Sequence, residues 1–200
     1  MKSSLIIVGF FCLGIIAGHL ELIPKFLAEN DLSMYALYAL ILLVGIVVGA
    51  DAKSWKLLLH AKLRVILVPL GTIMGTLLGV TVVALVWQGI SFKEAAAVGS
   101  GFGYYSLSSI LIGKMWSESL GIVALIANIS REIITLLLAP IMVKWFGKLA
   151  PISSGGATSM DTTLPIITRY SGHEYAIISI FHGTVLTILV PILVPFIINL

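Results

Sequence analysis

Asp161 stands in the string SGGATSMDTTLP, with Thr158, Ser159, Thr162 and Thr163 beside it and no basic partner local in sequence. A carboxylate buried without a partner must either take up a proton or bind a cation. A proton-coupled cation carrier needs both abilities in one group. The same residue also fits a helix cap, since Asp before Thr-Thr-Leu satisfies the first amides of a short helix. Asn128, Arg131 and Glu132 form a second cluster, spaced i, i+3, i+4 and therefore on one face of one helix. Arg131 is open to two readings, a self-neutralising pair with Glu132 or a clamp reaching the carbonyls of a broken helix. Asn128, a neutral amide, is the cheaper of the three to present to a solute. His182, in Phe-His-Gly, is either a packing residue with one hydrogen bond or a proton relay. Tyr104, Tyr105, Ser106, Ser108 and Ser109 offer aromatic faces and hydroxyls to a cationic solute, or ordinary packing.

These residues lie in a chain of 200 that is 59% apolar and 10% charged, with a mean hydropathy of +1.12. Soluble domains carry roughly 25% charged residues, so the surface here is made for lipid. Five runs are long enough to span a bilayer at about 20 residues each: Leu5–Ile23, Ser33–Ala50, Leu63–Trp87, Leu120–Trp145 and Tyr175–Leu200. The first run lacks a cleavage site and reads as a retained span. The expected fold is an all-α membrane protein in one domain over residues 1–200.

Residues 94–114 and 150–169 are apolar but interrupted. Gly99, Gly101 and Gly103 break the first, and Gly155 and Gly156 the second. Backbone broken at membrane depth is tolerated only when protein or a wet cavity surrounds it. In transporters such breaks commonly form the binding site, because free helix ends present N–H and C=O groups. The expectation is therefore about five full spans plus two broken or re-entrant segments, with seven spans as the alternative. With both segments re-entrant, Lys and Arg divide eight inside to three outside with Arg131 buried, against seven to four if both cross. The basic loop Asp51–Arg64 then places the N-terminus in the cytoplasm and the C-terminus outside.

The net charge of +3 is spread over loops, which marks membrane orientation and not nucleic-acid binding. Cys12, the single cysteine, excludes disulfides within the chain. No metal cluster, nucleotide loop or hydrolase motif is present, so no enzyme or cofactor is expected beyond H+ or Na+ as a coupling ion.

Four motifs in order, SGFGYYSLSSIL, N-x-x-R-E from Asn128 to Glu132, GGATSMDTTLP and HG-x6-VPILVP, resemble the LysO family of bacterial lysine exporters, over most of the chain from about Leu40. The resemblance implies export of L-lysine and its toxic analogues from the cytoplasm across the inner membrane. It also implies that Asp161 matches the family's intramembrane acid in T-S-M-D. Single-chain members of that family are longer at the start. The opening MKSSLIIVGF looks like an N-terminus, so the resemblance implies a short form working with a separately encoded small membrane subunit or a second copy. Such a partner is expected to enclose the polar backbone at Gly155. The expected binding set is Asp161, Asn128, Ser159, Thr158, Thr162, Tyr105, Ser106, Gly155 and Gly156, with Arg131, Glu132 and His182 structural or relaying.

Overall fold

The protein is described from a computed structural model, which covers residues 13–14, 16–20, 35, 39, 42, 46, 63–87, 89–172 and 175–200. The first two apolar runs and the Asp51–Arg64 loop lie almost wholly outside these residues. Two compact units divide at Val47/Val48. In the first, the described residues from Leu13 to His19 and from Tyr35 to Ile46 are helical. All elements below belong to the second unit and are numbered from Leu63.

Every described element is helical. The chain is an all-α membrane protein. Among the described residues, three helices are long and apolar enough to cross a bilayer: α1 (Leu63–Val86), α4 (Glu118–Phe146) and α7 (Ala176–Asn199). Helices of this size run about 36–44 Å at 1.5 Å per residue, more than the roughly 30 Å hydrocarbon core. Pro69, Pro140, Pro191 and Pro195 lie inside them, where apolar packing sustains helices that proline would break in water. α1 carries the most exposed face and α7 is the most enclosed.

Between α1 and α4 lie α2 (Phe92–Gly99) and α3 (Tyr105–Met115). They form a hairpin and not a crossing. Ser91, at the start of α2, and Glu94 make a reciprocal capping box, with Ser91 N donating to Glu94 Oε2 at 2.8 Å. The Ser91 amide, and then its hydroxyl, hold the Glu94 carboxyl below its ordinary range. The other oxygen of Glu94 accepts from Trp116 Nε1 at 3.0 Å, and Lys93 sits 5.1 Å from the Trp116 ring centre. Trp116 follows α3 directly, so the segment enters and leaves at one face of the membrane.

A second hairpin occupies the space between α4 and α7. It consists of α5 (Ala150–Gly155), a 3-10 turn (Gly156–Met160), a strap through Asp161–Thr163, and α6 (Leu164–Ser171). Lys148, just before α5, lies 5.3 Å from the ring centre of Tyr175, just after α6. This segment too returns to the face it entered. α4 begins at the mouth of the first hairpin and ends at the mouth of the second, so the hairpins enter from opposite faces. Both interrupted segments are thus re-entrant among the described residues, and the seven-span alternative does not describe them.

Candidate functional site

The hairpin tips meet. Ala157 N donates to Phe102 O at 2.8 Å, the one backbone bond recorded between them. A Cβ on Gly103 would stand 2.9 Å from Gly155 O, and one on Gly156 would run into the Phe102 carbonyl oxygen. Both glycines have positive φ, +92° and +63°, and Phe102 itself is left-handed at +43°. A buried aromatic in that conformation is strained, and such strain persists only where surrounding contacts enforce it.

One face of α4 supplies much of that enforcement. Asn128 Oδ1 accepts from Gly103 N at 2.7 Å, while its Nδ2 donates to Val98 O at 3.3 Å and Ala124 O at 2.9 Å. The amide thereby holds the two sides of the first break. One helical turn further along, Arg131 takes the second. Its Nε donates to Ser154 O at 2.7 Å and its Nη2 to Ser153 O at 2.8 Å, carbonyls in the last turn of α5. A third contact, Nη1 to Thr76 Oγ1 at 3.4 Å, reaches α1. A cation over exposed helix-end carbonyls is favoured by charge as well as by hydrogen bonding. Thr135, at i+7 from Asn128, extends the same face and bonds Ser154 Oγ at 2.6 Å.

Of the two readings of Arg131, the geometry displays the clamp. The amide of Asn128 is likewise spent on backbone, so the residue shapes the break in place of the expected solute contact. Glu132 is buried at 3% exposure on the same face. Thr158 and Ser159 are buried, with hydroxyls turned inward: Thr158 Oγ1 donates to Gly155 O at 2.8 Å and Ser159 Oγ to Ser179 O at 3.0 Å. Tyr104, Tyr105, Ser106 and Thr162 are partly exposed. Tyr104 and Tyr105 lie within electrostatic reach of Asp161, and Tyr105 also of Glu132.

Two expectations are corrected here. Asp161 was to be a buried carboxylate with no basic partner local in sequence, yet its side chain is exposed on the described surface, where it accepts from the N–H and hydroxyl of Thr162. The N-cap of α6 is Thr163, without a side-chain bond, so Asp161 is not the cap either. The reason is the turn. Gly156–Met160 folds inward against α7, and the strap after it swings the acid out. Gly155, in turn, needs no partner chain to cover it. Gly155 and Gly156 are both buried, Gly155 against Thr163, Ser159 and Ile167 and Gly156 against Phe102 and Arg131.

Residues that sequence reasoning missed include Thr135 and Ser179, whose hydroxyls tie the second hairpin to α4 and α7, and Thr72 and Thr76, whose hydroxyls tie α1 to α7 and α4. The available signal was their presence in apolar helices, where a hydroxyl wants a partner.

Both tips lie inside a stretch that matches a known family. Residues 8–198 match the family described as "Lysine exporter LysO". The chain belongs to the LysO family. It is 33% identical over 167 residues to "Lysine exporter LysO" of Escherichia coli (strain K12), an alignment covering 84% of this chain and 55% of that protein. To the "Putative lysine exporter" of Haemophilus influenzae it is 34% identical over 167 residues, covering 84% of each. The chain therefore spans little more than half the length of the E. coli relative. No solved structure matches it. Within the matched stretch, Thr158, Ser159 and Met160 lie in the 3-10 turn, Asp161 opens the strap, and Asn128, Arg131 and Glu132 share the clamp face of α4.

Proposed function

We propose that this chain is the core of a secondary transporter that exports L-lysine, and toxic lysine analogues, across the bacterial inner membrane. The observation that carries the reading is the tip-to-tip meeting of two hairpins from opposite faces, with the Asp161 carboxylate on the strap that follows the second tip. Inward protons exchange for outward lysine in this scheme, although Na+ would serve the same role. Asp161 pairs with the substrate ammonium or with a proton, and that competition couples the two flows. Tyr104 and Tyr105 lend their ring faces to the cation. Membership of the LysO family and the printed names of its relatives support lysine as the solute.

An anionic organic acid fits less well. Arg131, the cation at the break, is spent on the carbonyls of Ser153 and Ser154. The mouth of the second hairpin, with Lys144, Lys148 and Arg169, faces the cytoplasm in this proposal and Leu200 faces outward, as the positive-inside rule favours. Asp161, exposed on the described surface, is also where a second copy of the chain or a separate small membrane subunit would complete the site. The deciding experiment loads membrane vesicles with radiolabelled lysine and follows efflux with and without a pH gradient. Efflux indifferent to both pH and Na+ gradients would replace the exchanger with a passive channel.

A further inference from the structure

His182 of α7 is fully buried, at 0% exposure, and bonded at both ring nitrogens. Nδ1 lies 3.0 Å from Ser159 Oγ in the 3-10 turn, and Nε2 lies 2.9 Å from Thr72 Oγ1 in α1. Each hydroxyl has a carbonyl alternative for its single hydrogen. Ser159 reaches Ser179 O at 3.0 Å, and Thr72 reaches Val68 O at 3.0 Å. With the ring hydrogen on Nδ1, His182 donates to Ser159, Ser159 turns to Ser179, and Thr72 donates to Nε2. With the hydrogen on Nε2, the roles of the two hydroxyls exchange. Both nitrogens stay bonded in either neutral tautomer. The ring is a fixed spacer between α1 and the second hairpin.

Ser159 is two residues from Asp161, and the link between them is short and stiff. Asp161 N donates to Thr158 O at 3.1 Å, and Leu164 N to Asp161 O at 3.3 Å. Ser179 Oγ further pins Ser159 through its carbonyl at 2.7 Å. A shift of Ser159 is therefore passed on to the strap. We infer that His182 is a positioning residue: through Nδ1 and Ser159 it sets where Asp161 stands relative to Tyr104 and Tyr105, while its Nε2 bond to Thr72 serves stability alone. The inference rests on Asp161 being the cation site.

The two nitrogens can be separated by isosteres. Asparagine places its amide where Nδ1 stands and abandons Thr72, whereas glutamine reaches the Nε2 position and abandons Ser159. The full chain carrying His182→Asn, His182→Gln or Ser159→Ala is assayed in inside-out vesicles for the KM and maximal rate of lysine transport, with thermal unfolding measured in parallel. The Asn and Gln variants each lose one buried hydrogen bond and should unfold at similarly lowered temperatures. Their KM values should part: within about twofold of wild type for Asn, and raised about tenfold for Gln and for Ser159→Ala, the scale of one well-placed buried bond. Equal KM changes in the Asn and Gln variants would overturn the positioning role, as would an unchanged KM in Ser159→Ala. The latter measurement stands even if neither His182 variant folds. Asp161→Asn, run alongside, separates the failures. Wild-type export by that variant refutes the cation site itself, while its loss together with an unchanged KM in Ser159→Ala refutes only the role given to His182.

Discussion

Substituting Gly156 by alanine tests whether the contact between the hairpin tips matters, and Gly147 supplies the comparison. Both glycines hold conformations that L-residues avoid, with φ +63°, ψ −129° at Gly156 and φ +88°, ψ 174° at Gly147. Backbone strain of about 1–3 kcal/mol is therefore common to both substitutions. The surroundings differ. A Cβ on Gly147 meets nothing within 4 Å, whereas one on Gly156 collides with the Phe102 carbonyl and with it the bond from Ala157 N. Loss of that buried bond costs about 1 kcal/mol, and overpacking against backbone a further 1–3 kcal/mol. Gly156→Ala should thus be about 2–4 kcal/mol less stable than Gly147→Ala. At about 2–4 °C per kcal/mol for a chain of this size, that is a Tm gap of roughly 10 °C. Thermal unfolding of both variants in lipid nanodiscs measures the gap, and lysine efflux from vesicles measures the consequence. Gly147→Ala should export, and Gly156→Ala should not. Equal Tm values and equal efflux would mean that the tips do not bear on each other, and the site as built here would fall.

Arg131→Lys leaves one ammonium where a fork spanned two carbonyls and Thr76, so unfolding in nanodiscs should occur about 4–8 °C lower, from the loss of about 2 kcal/mol of charged hydrogen bonding; an unchanged Tm would show that the clamp is idle. Gly183→Ala drives a Cβ to 2.7 Å from Met160 N and 2.8 Å from Ala157 O, so it should unseat the second hairpin from α7 and depress both Tm and export, by about 1–3 kcal/mol in stability. Asp161→Asn should fold as well as wild type, because an amide oxygen still accepts from Thr162 N, yet cells carrying it should remain sensitive to toxic lysine analogues; resistance at the wild-type level would exclude Asp161 as the cation site. An impermeant thiol reagent applied from outside should label a cysteine added after Leu200 and miss Lys148→Cys, and the opposite pattern would invert the proposed orientation.

The spans were legible in the sequence because hydropathy is additive along a chain. Leu63–Trp87, Leu120–Trp145 and Tyr175–Leu200 each fall within a residue or two of α1, α4 and α7. The breaks were legible for a local reason too: glycines crowded at Gly99–Gly103 and paired at Gly155–Gly156 weaken a helix more than the spaced single glycines that α1 tolerates. The shared face of Asn128, Arg131 and Glu132 followed from helical spacing alone, and the family followed from the motifs. What the chain did not disclose locally was which partner each polar group takes. Arg131 lies 22 residues from Ser153 and 55 from Thr76, and His182 lies 110 from Thr72. A hydrogen bond across such distances depends on where two hairpins turn in space. Asp161 shows the limit most sharply. Its neighbours in sequence implied burial, but the inward curl of Gly156–Met160 and the swing of the following strap bring the carboxylate to the surface, and only the packing of that turn against α7 decides the direction.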